Sequence, residues 1–367
     1  MKRILLSLVL LASCLGLRGQ VTYTDASALP LYGKAAETEG YRRLPASLEG
    51  VIREPVWNLG RHSAGLYLRF RTDAPEIHAR WSNTGHHMPH MTDCGTGGLD
   101  LYAHLDGEWK YIRSGFGKAV ANKDYEVRLV GDMQPVMREY MLYLALYDEI
   151  LSLELGVPEG YALYQPELES PVSEKPVVMY GTSILQGGCA SRPGMAHTNI
   201  LARRLDRTVI NLGFSGNAHL DSEIAQLMAS VPNPSVFVLD HVPNASESMI
   251  EEKGEAFFRI LREAHPNVPV IFVEDPHFSH ALLDQTRATE VSVRNAAQRA
   301  LYERLVAAGE KLLFYVHSFS MTDQEDFVDG VHFTDRGMTH YADLLEPFLR
   351  EALGEVPGSE CRKRPRE

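Results

Sequence analysis

Residues Val177, Val178, Met179, Tyr180, Gly181, Thr182, Ser183, Ile184, Leu185, Gln186, Gly187, Gly188 and Cys189 decide the fold. The run that opens with Val177 and Val178 carries no charge and no alternation, as a strand covered on both faces would, and it stops at Gly181, where the backbone turns tightly. Thr182 and Ser183 follow at once. A serine just past the carboxyl end of a buried parallel strand stands where open α/β sheets place their ligands, so Ser183 is expected to face a crevice. Taken alone, Ser183 reads first as a helix cap. Residues much further along the chain favour the nucleophile.

The texture around this stretch is strand and helix in alternation. Strands are expected at 177–180, 209–212, 235–239, 270–274 and 312–316, with helices at about 197–205, 222–229, 249–264, 285–308 and 335–352. Five short apolar strands separated by helices predict a parallel, doubly wound, flavodoxin-like sheet. Before it, from 20 to about 168, the pattern is β. Residues 65–71 alternate, with Leu66, Leu68 and Phe70 against Tyr67, Arg69 and Arg71, and 76–81, 99–105, 109–112, 125–130, 140–147 and 150–155 look similar. The turn residues Asp106 with Gly107 and Gly131 with Asp132 predict hairpins, and the whole reads as a sandwich or jelly roll. Trp57, Trp81 and Trp109 all fall here and are expected to fill its core, sugar stacking being the alternative. Between 164 and 176 the chain carries Pro166, Pro171 and Pro176 among Glu167, Glu169 and Glu174, which predicts a linker.

At the start, Lys2 and Arg3 precede a short apolar run, the layout of a secretory leader too short to span a bilayer. The expected division is therefore a leader at 1–19, a β domain at 20–170, an α/β domain at 171–355 and a polar tail at 356–367. The mature protein is expected to be secreted or periplasmic. Leu11, Ala12, Ser13 and Cys14 resemble a bacterial lipobox, which leaves lipid anchoring at Cys14 as a second exit, but no integral membrane span is expected. A formal net charge of -12 disfavours a polyanion partner, and Arg362, Lys363, Arg364 and Arg366 read as a solvated end, so no nucleic acid is expected. The cysteines show no zinc or disulfide spacing, and a bond between Cys94 and Cys189 is left open.

Each strand end contributes something polar. After the second strand comes Asn211, Leu212, Gly213, Phe214, Ser215, Gly216, Asn217; after the third, Asp240, His241, Val242, Pro243, Asn244; before the last helix, Asp329, Gly330, Val331, His332. A histidine three residues after an aspartate can be oriented by that carboxylate through one ring nitrogen while the other faces a serine; without Ser183 the pair would read as a turn followed by a solvated histidine. The Ser183 N–H, the Gly216 N–H and the Asn244 side-chain amide suit an oxyanion hole. Glu274 and His277 end the fourth strand and are candidate substrate contacts, as is His90. That histidine lies in the polar loop 85–95, expected to lean over the neighbouring crevice. The loop's histidines lack a second clustered ligand set, so neither a metal nor a cofactor is expected. Cys189 reads as packing, and His340 as a solvent-facing or packed residue.

These blocks resemble the SGNH hydrolases, or GDSL-type esterases: Ser183 in Gly-Thr-Ser, Gly216 in Asn-Leu-Gly-Phe-Ser-Gly-Asn, Asn244 in Val-Pro-Asn and His332 in Asp-Gly-Val-His, in that order. Thr182 stands where the family usually has Asp. Leu185 replaces the second glycine of a pentapeptide nucleophile elbow, which disfavours an α/β-hydrolase. The run from Gln186 to Gly194 looks like a secreted bacterial branch with an amino-terminal β domain. The resemblance implies a serine esterase acting through an acyl-enzyme, on a small ester or an acetylated glycan. The alternatives are a thioesterase or lysophospholipase of the same mechanism, or a glycan-binding protein without turnover. Oligomeric state is not legible.

Overall fold

The computed structural model describes residues 20–117, 124–317 and 323–355. The expected leader with Cys14 and the expected tail lie outside the described residues.

Nine strands make two antiparallel sheets: β1 Val21–Asp25, β2 Leu31–Tyr32, β3 Tyr67–Thr72, β4 Ile77–Asn83, β5 Leu99–Leu105, β6 Glu108–Gly115, β7 Asp124–Val130, β8 Arg138–Tyr143 and β9 Ile150–Pro158. One sheet runs β1-β9-β4-β7 and the other β2-β3-β8-β5-β6. In β4 the alternation is strict: Ile77, Ala79, Trp81 and Asn83 point inward and are buried, the residues between them less so. The core between the sheets gathers Leu66, Leu68, Phe70, Ile77, Trp81, Leu101, Leu142 and Leu155.

Of the two expected hairpins, Asp106 and Gly107 make one, both at positive φ (55° and 86°), as a tight primed turn between β5 and β6 requires. Gly131 and Asp132 do not. β7 pairs with β4 whereas β8 pairs with β3 and β5, so that turn carries the chain from one sheet to the other.

The α/β part follows. Strands β10 Val172–Gly181, β11 Arg207–Gly213, β12 Val236–Asp240, β13 Val270–Val273 and β14 Leu313–Val316 form a parallel sheet in the order β11-β10-β12-β13-β14, the flavodoxin-like order. Helices α1 Glu54–Gly60, α2 Asp93–Gly97, α3 Ser183–Gln186, α4 His197–Arg204, α5 Ser222–Ser230, α6 Glu247–Ala264, α7 Gln285–Ala307 and α8 Asp335–Ala352 complete it. Side chains leave β10 alternately: Val178 and Tyr180 enter the core with α5 and α6, Val177 and Met179 the core with α4 and α8. All four are fully buried, each contributing roughly 1.5–3 kcal/mol relative to exposure.

Three sequence expectations change. Trp57 does not fill the sandwich. It lies on α1 and packs, with Val56, Ile52 and Leu44, into the α/β core beside Phe214 and Leu220. Trp109 flanks a small cluster of Tyr67, Tyr102, Met141 and Tyr143 instead, leaving Trp81 alone of the three in the sandwich core. The proline-rich stretch is no free tether: Tyr164 bridges Arg71, the Glu139 carboxylate accepts the N–H groups of Glu167 and Leu168, and β10 starts at Val172.

The second antiparallel sheet is covered on both faces, which explains why Tyr67 and Arg69 are buried despite facing away from the sandwich core. Tyr67 Oη lies 2.7 Å from Thr208 Oγ1 on β11, and the Tyr143 hydroxyl donates to Asn199 O on α4. Among the described residues no helix is long and apolar enough to cross a membrane.

Candidate active site

In the parallel sheet Gly181 at the end of β10 stands level with Gly213 on one side and Asp240 on the other. The loops after these three strands therefore leave the same edge side by side. Thr182 caps α3 by accepting the Ile184 N–H, and Ser183 is the first helical residue, 8% exposed. The helix lasts one turn because Gly187 takes up a left-handed conformation (φ 108°). An added Cβ on Gly188 would meet His332 Cδ2 at 3.0 Å, so a side chain there would crowd the imidazole.

His332 approaches from the loop before α8. Its Nε2 lies 2.8 Å from Ser183 Oγ and its Nδ1 2.8 Å from Asp329 Oδ2. Asp329 is held by its own turn, its Oδ1 accepting the N–H groups of Val331 and His332 at 3.0 and 2.8 Å. Burial pushes the Asp329 carboxyl up. The backbone and side-chain hydrogen bonds from His332 and the nearby imidazole outweigh that and hold it below the ordinary carboxylate range. An ionised Asp329 only accepts, so the proton between them belongs on Nδ1 and leaves Nε2 as the acceptor for the serine hydroxyl. The arrangement can move a proton off Ser183 Oγ.

Gly216 sits at φ 68° with open space where a Cβ would be. Its loop is pinned from two sides. Arg53 donates to Asn217 Oδ1 and O and forms a two-pronged pair with Asp221, while the Ser215 N–H donates to Gln186 Oε1. Asn244 Oδ1 accepts the Ala218 N–H at 3.4 Å, tying the loop after β12 to the loop after β11.

His90 comes from the β half, its ring 5.4 Å from that of His332, and Cys189 donates its thiol proton to His90 O. Cys94 and Cys189 are both free thiols. Burial, with Asp329 nearby, pushes the Cys189 thiol up to about 12, the opposite of an activated nucleophile. Glu274 and His277 line a different cavity with Phe278, Val291 and Asn295, whose walls include neither Ser183 nor His332. The Glu274 carboxylate accepts from Arg299 and from the Tyr315 hydroxyl. His340 packs through Nδ1 against Asp326.

Two participants were not singled out from sequence. The buried Gln186 side chain reaches Leu146 O and His62 Nδ1 as well as Ser215 N, joining α3 to the Gly216 loop. The clue was a glutamine in an otherwise apolar turn. Arg43, fully buried, donates to Asn211 O and Gly213 O at the end of β11 and to Leu59 O and His62 O, and nothing local in the sequence marks it.

A flavodoxin-ordered sheet whose first strand ends on a serine, with that serine bonded to a histidine of the last loop, defines the SGNH class of serine hydrolases. The chain belongs to the GDSL-like lipase/acylhydrolase family: residues 174–350 match that family, and residues 21–163 match the GxDLY domain, the N-terminus of SGNH-hydrolase-type esterases. It is 33% identical to a GDSL-like lipase from Bacteroides ovatus over 91% of this chain and 98% of that one, with a TM-score of 0.86. Two more distant structures share the fold. A salicylyl-acyltransferase from a tetracycline biosynthetic pathway is 18% identical (92% and 98% covered, TM-score 0.74). An acetyl xylan esterase from the rumen bacterium Butyrivibrio proteoclasticus is 12% identical (92% and 100% covered, TM-score 0.58). No curated protein matches the chain. Membership makes the protein a carboxylic ester hydrolase.

The GxDLY motif, here Gly98, Leu99, Asp100, Leu101 and Tyr102, has a physical task. Asp100 Oδ2 accepts from Arg192 and from the Gly194 N–H at 2.8 and 2.7 Å, and Tyr102 Oη lies 2.7 Å from the same guanidinium. It clamps the loop that follows Cys189 onto the β half.

Proposed function

We propose that the chain is an exported serine esterase that removes small acyl groups, acetyl above all, from glycans through an acyl-enzyme on Ser183. The observation that carries this reading is the 2.8 Å contact between His332 Nε2 and Ser183 Oγ, with Asp329 on the opposite ring nitrogen. As Ser183 Oγ attacks the ester carbonyl carbon, its proton passes to His332 Nε2, and ionised Asp329 stabilises the imidazolium. The oxyanion is received by the N–H groups of Ser183 and Gly216 and by Asn244 Nδ2, its Oδ1 being engaged by Ala218. Each such donor is worth about 10²–10³ in rate. His332 then gives its proton to the leaving alcohol, and water repeats the sequence on the acyl-enzyme.

Gly188, Gly216, Asn244 and His90 are small or polar, which suits a short acyl group better than a long chain. Carbohydrate esterases of similar fold, including the Butyrivibrio acetyl xylan esterase, supply the glycan as the alcohol to test. Export rests on the leader-like residues 1–19.

The test is acetate release from acetylated xylan and other acetylated glycans, beside short and long aryl esters, by wild type and Ser183→Ala. Wild type should release acetate and the folded variant should not. A strong preference for long acyl chains, or equal turnover by the variant, would overturn the proposal.

A further inference from the structure

We propose that the crevice around His332 is also a binding site for a thiophilic divalent cation, zinc being the best match, and that the bound ion switches the esterase off. His90, Cys189, Asp329 and His332 each offer a ligand atom, and these four atoms all lie within 4.8 Å of one another. Tetrahedral zinc with bonds of roughly 2.0–2.3 Å holds its ligand atoms about 3.3–3.8 Å apart, so the most widely spaced pairs need to close by about 1.5 Å at most. The four residues come from three loops. His90 lies between β4 and α2, Cys189 follows the nucleophile turn, and Asp329 and His332 precede α8. Ring contact between His90 and His332 and the Cys189 bond to His90 O already hold those loops together.

The donor types select the ion. Two imidazoles, one sulfur and one carboxylate suit zinc, whereas calcium and magnesium take oxygen ligands. On binding, the Cys189 S–H bond breaks, its proton leaves to solvent and the sulfur–metal bond forms. A thiolate and a carboxylate then neutralise the double charge inside a half-buried site. Both nitrogens of His332 are committed in the active arrangement, one to Asp329 and one to Ser183. With the proton on Nδ1, an ion on Nε2 takes the lone pair that would receive the serine proton, and an ion on Nδ1 sends that proton to Nε2 and leaves no base facing Ser183.

The regulatory half of this inference rests on the proposed roles of Ser183 and His332; the binding half does not. Mature enzyme stripped with a chelator is titrated with zinc chloride while hydrolysis of a short aryl ester is followed. The rate should fall and return when chelator is added back. Measured against each variant's own metal-free rate, Cys189→Ser and His90→Ala should each raise the half-inhibiting zinc concentration by at least about tenfold. Cobalt chloride added to Ser183→Ala should give a thiolate-to-cobalt charge-transfer band that is missing when Cys189→Ser is combined with it. Absence of the band in Ser183→Ala, or inhibition undiminished in both ligand variants, overturns the site. A band in Ser183→Ala when wild type itself hydrolyses no ester would keep the site and sink the serine mechanism instead.

Discussion

Asp329 does two jobs with two oxygens: Oδ1 closes its own turn on the N–H groups of Val331 and His332, and Oδ2 meets the imidazole. Asp329→Asn keeps an acceptor for the turn but removes the charge opposite the imidazolium. It should lower kcat by about 10³–10⁴ with KM and unfolding temperature little changed, and a loss below tenfold would remove Asp329 from the proposed machinery. This part of the site was legible because it is local, a carboxylate and a histidine three residues apart and a serine at a strand end. The loop carrying His90 was expected over this crevice, but the nearness of Cys189 to that histidine was not legible, since it depends on how the turn after α3 meets the loop before α8. Asp240 is a further residue-scale case. Burial pushes its carboxyl up, the Tyr341 hydroxyl opposes that, neighbouring Asp275 adds to it, and the result is about 8 against 3.8. The folded state thus holds a proton that the unfolded chain has lost. Stability is then full near pH 4 and falls as pH rises toward 8, by at most about 1.4 kcal/mol per pH unit for one group. Asp240→Asn should flatten the curve of unfolding temperature over that window and be more stable than wild type, relative to pH 4, at pH 8; an unchanged slope would refute this assignment.

At the scale of elements, the position of Ser183 depends on how closely α3 lies on β11. A Cβ on Gly213 would come within 2.3 Å of Gln186 N and 2.7 Å of Gln186 Cα, both backbone atoms of α3, which cannot turn aside. Gly213→Ala should therefore push the whole turn outward and stretch the bond from Ser183 to His332. A displacement near 1 Å costs on the order of 10² in rate, and the overpacking about 1–3 kcal/mol in stability. Wild-type kcat in this variant, read beside thermal unfolding, would show that α3 is not what sets the nucleophile. The parallel strands were readable from sequence because each is a short apolar run closed by a turn, and the helices between them were found within a few residues. The linking of the antiparallel strands was harder. The same turn chemistry at Asp106 with Gly107 and at Gly131 with Asp132 gives a hairpin in one case and a change of sheet in the other. Local residues set a turn's shape, whereas the partner of the next strand is chosen by which face must be buried.

At the scale of the whole molecule, many contacts cross the boundary expected from composition near residue 170. Several residues that precede most of the antiparallel strands lie against the α/β sheet. Ala35, Leu44, Ile52, Val56 and Trp57 share its core with Phe214, Leu220 and Ile224. The Arg43 guanidinium satisfies two carbonyls at the end of β11, and Arg53 pairs with Asp221 below the Gly216 loop. From the sandwich, Asp100 receives Arg192, Tyr67 meets Thr208, and the Tyr147 hydroxyl donates to Ser183 O, on the proposed nucleophile. A fragment of residues 171–355 would keep every residue of the proposed triad and oxyanion hole, yet expose that apolar face and leave Arg192 and the β11 carbonyls without these partners. Loss of that apolar burial alone is comparable with the roughly 5–15 kcal/mol that holds a typical domain folded. Expressed alone, the fragment should aggregate or bind a hydrophobic dye, unfold without a cooperative transition and hydrolyse no ester. Co-expression with residues 20–170 should restore part of the activity. A fragment that melts cooperatively at the wild-type temperature and turns over at the wild-type rate would show that the β half is a separable module and not one wall of the active site.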